Sequence, residues 1–234
     1  MVNENVADVD KKVWKEGVTV LSFVGPDLIF RLFALILALV VHEFGHAVMT
    51  LWLGDDTPKK QGRVSLNPLS HLDLLGLLMV LYVNFGWAKP VMFDPNKIKI
   101  NKSLGIILIA LAGPLMNAIL GLISIYAKLA ILLSSNPFWI GYAGQFISSL
   151  LYWLAIVNIA LAIFNLIPIP PLDGWKILLF LMPKKVFLNM LRFERIGPFL
   201  LLLVLILPFG GYTFGGLIIN NALQSVFGWF GLTI

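Results

Sequence analysis

The chain is predicted to be an all-α integral membrane protein with about four to six transmembrane or re-entrant helices and a small membrane-associated β-hairpin or strand region. Of its 234 residues, 59% are hydrophobic and only 12% are charged, and the mean hydropathy is +0.91. A water-soluble domain of this length would have to expose much of that apolar surface. The apolar residues also form runs of about 20 residues or more, the length needed to cross a bilayer core.

Several apolar runs are predicted to cross the bilayer, since Gly, Pro or basic residues separate them. The chain divides into an N-terminal tail and surface-lying segment over 1–27, a single transmembrane domain over 28–222 and a C-terminal tail of uncertain structure over 223–234. Gly113 and Pro114 are expected to interrupt the second span. The predicted spans cover residues 28–53, 104–133, 145–167 and 198–219.

The region 54–102 is basic, with seven Lys or Arg residues, and the positive-inside rule therefore predicts that it is cytoplasmic. Its apolar part, 72–85, is too short to cross a bilayer and is followed by an extended stretch rich in Gly and Pro, 86–91. We expect a re-entrant or interfacial element here. The net charge of +5 favours anionic lipid over nucleic acid as the partner, because no basic surface is interleaved with stacking aromatic residues.

A metal-binding pattern lies inside the first apolar run, where the sequence reads His42-Glu43-Phe44-Gly45-His46. Two histidines four residues apart project from one face of a helix, and the glutamate between them can accept a proton from metal-activated water. Ionisable side chains in a membrane span are costly without a partner, which favours a metal site over two core histidines. The chain has no Cys, so any further ligand must be His or a carboxylate.

The third metal ligand has two candidates in the sequence. A catalytic zinc site needs three protein ligands and one open position. Asp173 follows the third span at its predicted inward end, on the same side of the membrane as His46. His71 is also predicted to be cytoplasmic, and spacing alone does not choose between the two. Asp173 is preferred because a histidine beside a turn more often caps the turn or supports a ligand.

The order of these motifs resembles that of the site-2 protease family of intramembrane zinc metalloproteases, in its compact form without a PDZ or CBS domain. That family pairs HExxH with a distant NxxPxxxxDG motif, which stands here at 165–174. Further likeness is found at 113–117, 65–73 and 86–91, and the resemblance covers about residues 41–176.

The resemblance implies a role for each matching residue. His42, His46 and Asp173 match the ligands of one Zn²⁺ ion, and Glu43 matches the general base. Asn117 and Asn165 match polar positions that could orient the substrate backbone or the developing oxyanion. For both amides a structural hydrogen bond between helices is an equally good reading.

The expected function is hydrolysis of peptide bonds in membrane-spanning or membrane-adjacent substrates by metal-activated water, near the cytoplasmic side of a prokaryotic cell membrane. The expected partners are the lipid bilayer and a transmembrane protein or peptide substrate, without nucleic acid; the oligomeric state is not predicted. Residues 82–99 are expected to add a strand to an unwound substrate segment. The alternative is a membrane metal transporter or metal sensor, although spans two and three offer Asn117 and Asn158 but no carboxylate.

Overall fold

The structure is a computed structural model that describes residues 27–76, 78, 87–209 and 212–232. The predicted surface-lying N-terminal segment and most of the element expected over 72–85 lie outside these residues. The helices are α1 (Leu28–Trp52), α2 (Thr57–Lys60), α3 (Lys102–Leu132), α4 (Tyr142–Asn165), α5 (Asp173–Leu181), α6 (Lys184–Met190), α7 (Phe193–Ile206) and α8 (Phe214–Trp229). Two strands, β1 (Pro208–Phe209) and β2 (Tyr212–Thr213), pair antiparallel.

Three of the described helices, α1, α3 and α4, are long and apolar enough to cross a membrane. At 1.5 Å per residue even the shortest is about 36 Å long, compared with a hydrocarbon core of about 30 Å. The prediction of a mostly helical integral membrane protein is therefore confirmed. The finer count of four to six spans and the β-hairpin within 54–102 stay predictions.

Helix α3 continues without a break through Gly113 and Pro114, so the predicted interruption of the second span is wrong. Proline removes only one backbone donor from a helix of 31 residues. In a membrane bundle the neighbouring helices and polar side chains can satisfy the carbonyl that this loss leaves free.

The predicted span over 198–219 is also wrong, because two shorter helices and a hairpin occupy this region. Helix α7 ends at Ile206, shortly before Pro208, whose missing N–H and fixed φ prevent the helix from continuing. The paired strands β1 and β2 then lead into α8. Helix α8 includes residues 223–229 of the expected C-terminal tail, and its Leu223 and Phe227 are fully buried in the main apolar cluster.

The core lies where α1, α3 and α4 pack against one another, with α8 against α4. Small buried residues, including Ala38 on α1, Ala112 on α3 and Ala155 on α4, allow the backbones to approach closely. Helix α5 packs against α3. This arrangement holds the HExxH face of α1 against α3 and brings the start of α5 to the same place.

From residue 87 the chain returns to the end of α1 through a stretch that is extended over 87–94 and turns at 95–97; we call residues 87–99 the extended segment. Helix α1 stops before Gly54, whose φ of +106° is a backbone conformation that favours glycine. The Lys99 amide donates to the Leu53 carbonyl at 2.8 Å, and an isolated antiparallel bridge joins Leu72 to Ala88. The extended segment is thus anchored beside the helix that carries the HExxH motif.

Candidate active site

Three buried side chains from two helices converge on one point. His42 and His46 lie one turn apart on α1, and Asp173 is the first residue of α5. The Asp173 Oδ2 atom is 3.1 Å from the Nε2 atom of each histidine, and the two Nε2 atoms are 3.0 Å apart. This is a group of His and carboxylate ligands that could hold a metal ion.

The hydrogen bonds of the two imidazoles show why a cation fits this point. His46 Nδ1 lies 2.7 Å from the Ile109 carbonyl, which can only accept, so this nitrogen carries the proton. His42 Nδ1 donates to Asn117 Oδ1 at 2.7 Å. In the neutral rings both Nε2 atoms then present lone pairs to the Asp173 carboxylate. Three acceptors about 3 Å apart repel one another unless a cation lies between them, and a tetrahedral zinc ion would space them about 3.3 Å apart.

Gly113 of α3 provides the space that the imidazole rings occupy. A Cβ atom at this position would lie 2.6 Å from His46 Cε1 and 2.8 Å from His42 Cε1, and nearest of all to His46 Nε2. Since real Cβ atoms essentially never lie within 3.0 Å of another heavy atom, no side chain fits beside the two rings as they stand. The two imidazole rings can therefore take these positions only because residue 113 has no side chain.

Lys176 holds the second oxygen of the Asp173 carboxylate. Its Nζ atom lies 3.0 Å from Asp173 Oδ1, one turn further along α5, and its side chain is half exposed. With Oδ1 paired in this way, Oδ2 is left to face the histidines. Close packing also fixes the start of the helix, because a Cβ atom on Gly174 would collide with the backbone of Leu166.

Glu43 lies between the two histidines in sequence and contacts the extended segment. Its Oε2 atom accepts a hydrogen bond from the Val91 amide at 3.2 Å, and its side chain is half buried. The carboxylate is therefore oriented by backbone from outside its own helix. This contact connects the extended segment directly to the HExxH motif.

A second anchor of the extended segment is the fully buried Asp55, just beyond α1. Its carboxylate accepts from the Asp94 amide at 2.6 Å and from both the amide and the hydroxyl of Thr57, while Lys97 Nζ lies 3.6 Å away. Burial acts to raise the pKa of this carboxyl, but the hydrogen bonds from Thr57 and Asp94 and the charge of Lys97 lower it below its ordinary value. Asp55 is thus a charged buried anchor.

The structure places the remaining predicted residues outside the group of three. His71 is fully buried in the loop before the extended segment, where its Nε2 atom donates to the Ser65 carbonyl at 2.6 Å and its own carbonyl accepts from the Lys89 amide. Asn117 is fully buried and contacts His42. Asn165 ends α4 half buried and donates to the Leu161 carbonyl of its own helix.

Several residues that shape the site were not selected from the sequence. Lys176 had a usable signal, because it stands three residues after Asp173 on a predicted helix. Gly113 lies in the family-like stretch 113–117 and Asn158 is an amide within a predicted span, but the roles of both depend on which helices pack together. The Ile109 carbonyl and the Val91 amide are backbone groups, for which side-chain type carries no information.

Comparisons with known proteins identify a family and relatives of the chain. The family described as Peptidase family M50 matches residues 135–208 of the chain, and this range includes Asn165 and Asp173. YwhC of Bacillus subtilis, a proposed zinc metalloprotease, is 34% identical over 186 residues, covering 78% of this chain and 83% of that protein. Rip2 of Mycolicibacterium smegmatis, also a proposed zinc metalloprotease, is 28% identical over 160 residues, covering 66% of this chain and 58% of Rip2. No solved structure matches the chain.

A membrane-embedded group of two histidines and an aspartate, with a glutamate between the histidines, is the arrangement of a metal-dependent hydrolase. The chain belongs to peptidase family M50, the site-2 protease family. The resemblance noted in the sequence is confirmed, and membership of a peptidase family disfavours the metal transporter or sensor.

Proposed function

We propose that the protein is an intramembrane zinc metalloendopeptidase that hydrolyses peptide bonds of membrane-spanning or membrane-adjacent substrates. His42, His46 and Asp173 hold the zinc ion, and Glu43 is the general base. The observation that carries the proposal is the convergence of the three ligand atoms within 3.1 Å of one another, with Glu43 on the same helix as two of them.

The zinc ion and the side chains of the protein have different roles in the proposed hydrolysis. Zinc, when bound, supplies a Lewis acid that acidifies water and polarises a carbonyl group. Glu43 accepts the proton of the attacking water and returns it to the leaving amine. The Val91 amide keeps the Glu43 carboxylate in one orientation, and Lys176 keeps Asp173 from turning its second oxygen toward the ion.

The substrate must present an extended backbone, because the carbonyls of an intact helix are covered by their own hydrogen bonds. The extended segment reaches Glu43 through Val91, which places its backbone next to the proposed base. A substrate strand added along residues 82–99 would therefore enter beside the reacting group. Asn165, which precedes Asp173 by eight residues, is proposed to donate to the substrate backbone or to the oxyanion.

The proposed location of the site is toward the cytoplasmic side of the membrane. Basic residues are frequent in 54–102, after the end of α1, and in the stretch that includes Lys176 and Arg192, from the start of α5 onward. The positive-inside rule assigns such an end to the cytoplasm.

The experiment that tests the function compares Glu43→Gln with the wild type in liposomes containing labelled single-span peptides. Glutamine keeps the shape of the side chain but cannot take a proton at neutral pH, so zinc binding should stay and cleavage should fall by about 10²–10⁴-fold. Glu194→Gln is the matched control, because Glu194 is an exposed glutamate on α7. Cleavage by Glu43→Gln at the wild-type rate, or zinc release into the liposome by both proteins, would contradict the proposal.

A further inference from the structure

A chain of buried amide side chains connects α4 to the metal ligand His42. Asn158 of α4 and Asn117 of α3 are both fully buried, and Asn117 Nδ2 donates to Asn158 Oδ1 at 2.8 Å. Asn117 Oδ1 in turn accepts from His42 Nδ1 at 2.7 Å. Three helices are thus joined through side chains at the level of the site.

The direction of every hydrogen bond in this chain is fixed by backbone carbonyls at its two ends. Leu154 O can only accept, so the Asn158 nitrogen faces it at 2.9 Å and the Asn158 oxygen faces Asn117. Ala38 O can likewise only accept, so the Asn117 nitrogen faces it at 2.9 Å and the Asn117 oxygen faces His42. The amide assignments therefore follow from chemistry.

These hydrogen bonds fix the tautomer of His42. Because Asn117 presents an oxygen to it, Nδ1 must carry the proton, and the lone pair stays on Nε2, the atom that faces Asp173. We propose that Asn158 is a positioning residue for metal binding: it holds the Asn117 amide in the one orientation that keeps His42 ready to bind the ion. The inference rests on the proposed metal site.

His46 provides an internal contrast, because its Nδ1 atom donates to the Ile109 carbonyl of α3 and does not use the amide chain. Loss of Asn158 should therefore weaken one ligand and leave the other in place. Loss of an outer partner of a metal-bound histidine costs about 10–100-fold in metal affinity. Because Asn117 also keeps its bond to Ala38, the expected loss for Asn158 is at the low end, about tenfold.

The test measures the zinc dissociation constant of the full-length protein in detergent by competition with a chelator. Asn158→Leu removes the acceptor for Asn117 at similar volume and should weaken zinc binding about tenfold. Asn158→Asp should bind zinc as tightly as the wild type, because a buried neutral carboxyl can donate to Leu154 O and accept from Asn117 Nδ2. Ser124→Ala is the control, since Ser124 is a buried polar residue of α3 bonded within its own helix.

A double-mutant cycle with Asn117→Leu distinguishes positioning from a general contribution to packing. If Asn158 acts through Asn117, Asn158→Leu should have no further effect on zinc affinity in the Asn117→Leu background. Unchanged zinc affinity in Asn158→Leu, or an equal loss in both backgrounds, would overturn the inference. If Asn158→Leu does not fold, Asn158→Ser replaces it in the same cycle. A wild-type protein that binds no zinc would instead refute the proposed function.

Discussion

Replacing Gly113 with alanine should remove zinc from a protein that still folds. The new Cβ atom would lie 2.6 Å from His46 Cε1 and 2.8 Å from His42 Cε1. To reach an ordinary contact of 3.4 Å, the His46 ring or the α3 backbone must shift by about 0.8 Å or more. Metal–ligand distances tolerate only about 0.2 Å, so the shifted ring no longer binds the ion well.

The expected loss of zinc affinity is about 100-fold or more. That figure is the upper end of the cost of losing an outer partner, and here the ligand ring itself is displaced. The helix should not suffer, because alanine is a better helix former than glycine by about 0.5–1 kcal/mol. The assay is chelator competition on purified protein, together with circular dichroism to show that the helices remain.

Gly144→Ala is the control, at the start of α4 and about 21 Å along that helix from Asn158. Its Cβ atom would also be too close to a neighbour, at 2.8 Å from the Trp139 carbonyl carbon, but this contact does not involve any residue of the site or of the amide chain. The control should lose some stability and no zinc affinity. Wild-type zinc affinity in Gly113→Ala, or equal losses in the two variants, would refute the packing argument.

Three further predictions follow from the same geometry. Removing zinc with a chelator should abolish cleavage and lower the melting temperature, since zinc at 100 times its dissociation constant stabilises by about 2.7 kcal/mol; adding zinc should restore both. Met92→Pro should reduce cleavage of liposome-bound peptides strongly, because proline in the extended segment cannot pair with a substrate strand. Asp55→Asn should lower the free energy of unfolding by about 1–3 kcal/mol at pH 7 through weakened charged hydrogen bonds, and this difference should shrink at low pH.

The pH dependence of the Asp55→Asn effect has a defined sign. The folded protein lowers the pKa of the Asp55 carboxyl, so the stabilisation is fully present above the ordinary pKa of 3.8 and is lost as the pH falls through the lower folded value. Denaturant titrations of both proteins between pH 3 and pH 7 measure it. A difference that grows on acidification contradicts the anchor role.

The other two predictions have their own controls. For the extended segment, Met92→Ala removes the same exposed side chain but keeps the backbone N–H, so it should cleave normally. Equal activity of the proline and alanine variants would exclude strand pairing at this position. For metal removal, a melting temperature that chelator leaves unchanged would mean that the folded protein binds no zinc more tightly than the unfolded chain does.

The local sequence pattern was sufficient to predict those helices that are determined by the hydrophobicity of a continuous segment. Apolar runs long enough to span a bilayer predicted α1, α3 and α4 to within a few residues, because water excludes such runs wherever they stand in the chain. The pattern failed at the end of the chain, where the run over 198–219 was read as one span. The structure has two helices and a hairpin there, since Pro208 ends the first helix even though the residues around it are apolar.

The candidate site shows the same division between local and tertiary information. The HExxH spacing alone placed His42 and His46 on one helix face. Spacing alone could not choose between Asp173, which the sequence analysis prefers, and His71, because a contact across 127 residues depends on how α5 packs against α3. The structure brings Asp173 to both histidines and leaves His71 buried within the loop before the extended segment, bonded to Ser65.

The sequence by itself therefore determined the membrane environment, the helix that carries the HExxH motif and the family, because each of these depends on residue type and short spacing. Only the tertiary structure decided that Asp173 and not His71 meets the histidines, why position 113 must lack a side chain, and how Asn158 reaches His42 through Asn117. The physical reason is that proton direction and close packing arise between helices, where neighbours in space are far apart in the chain.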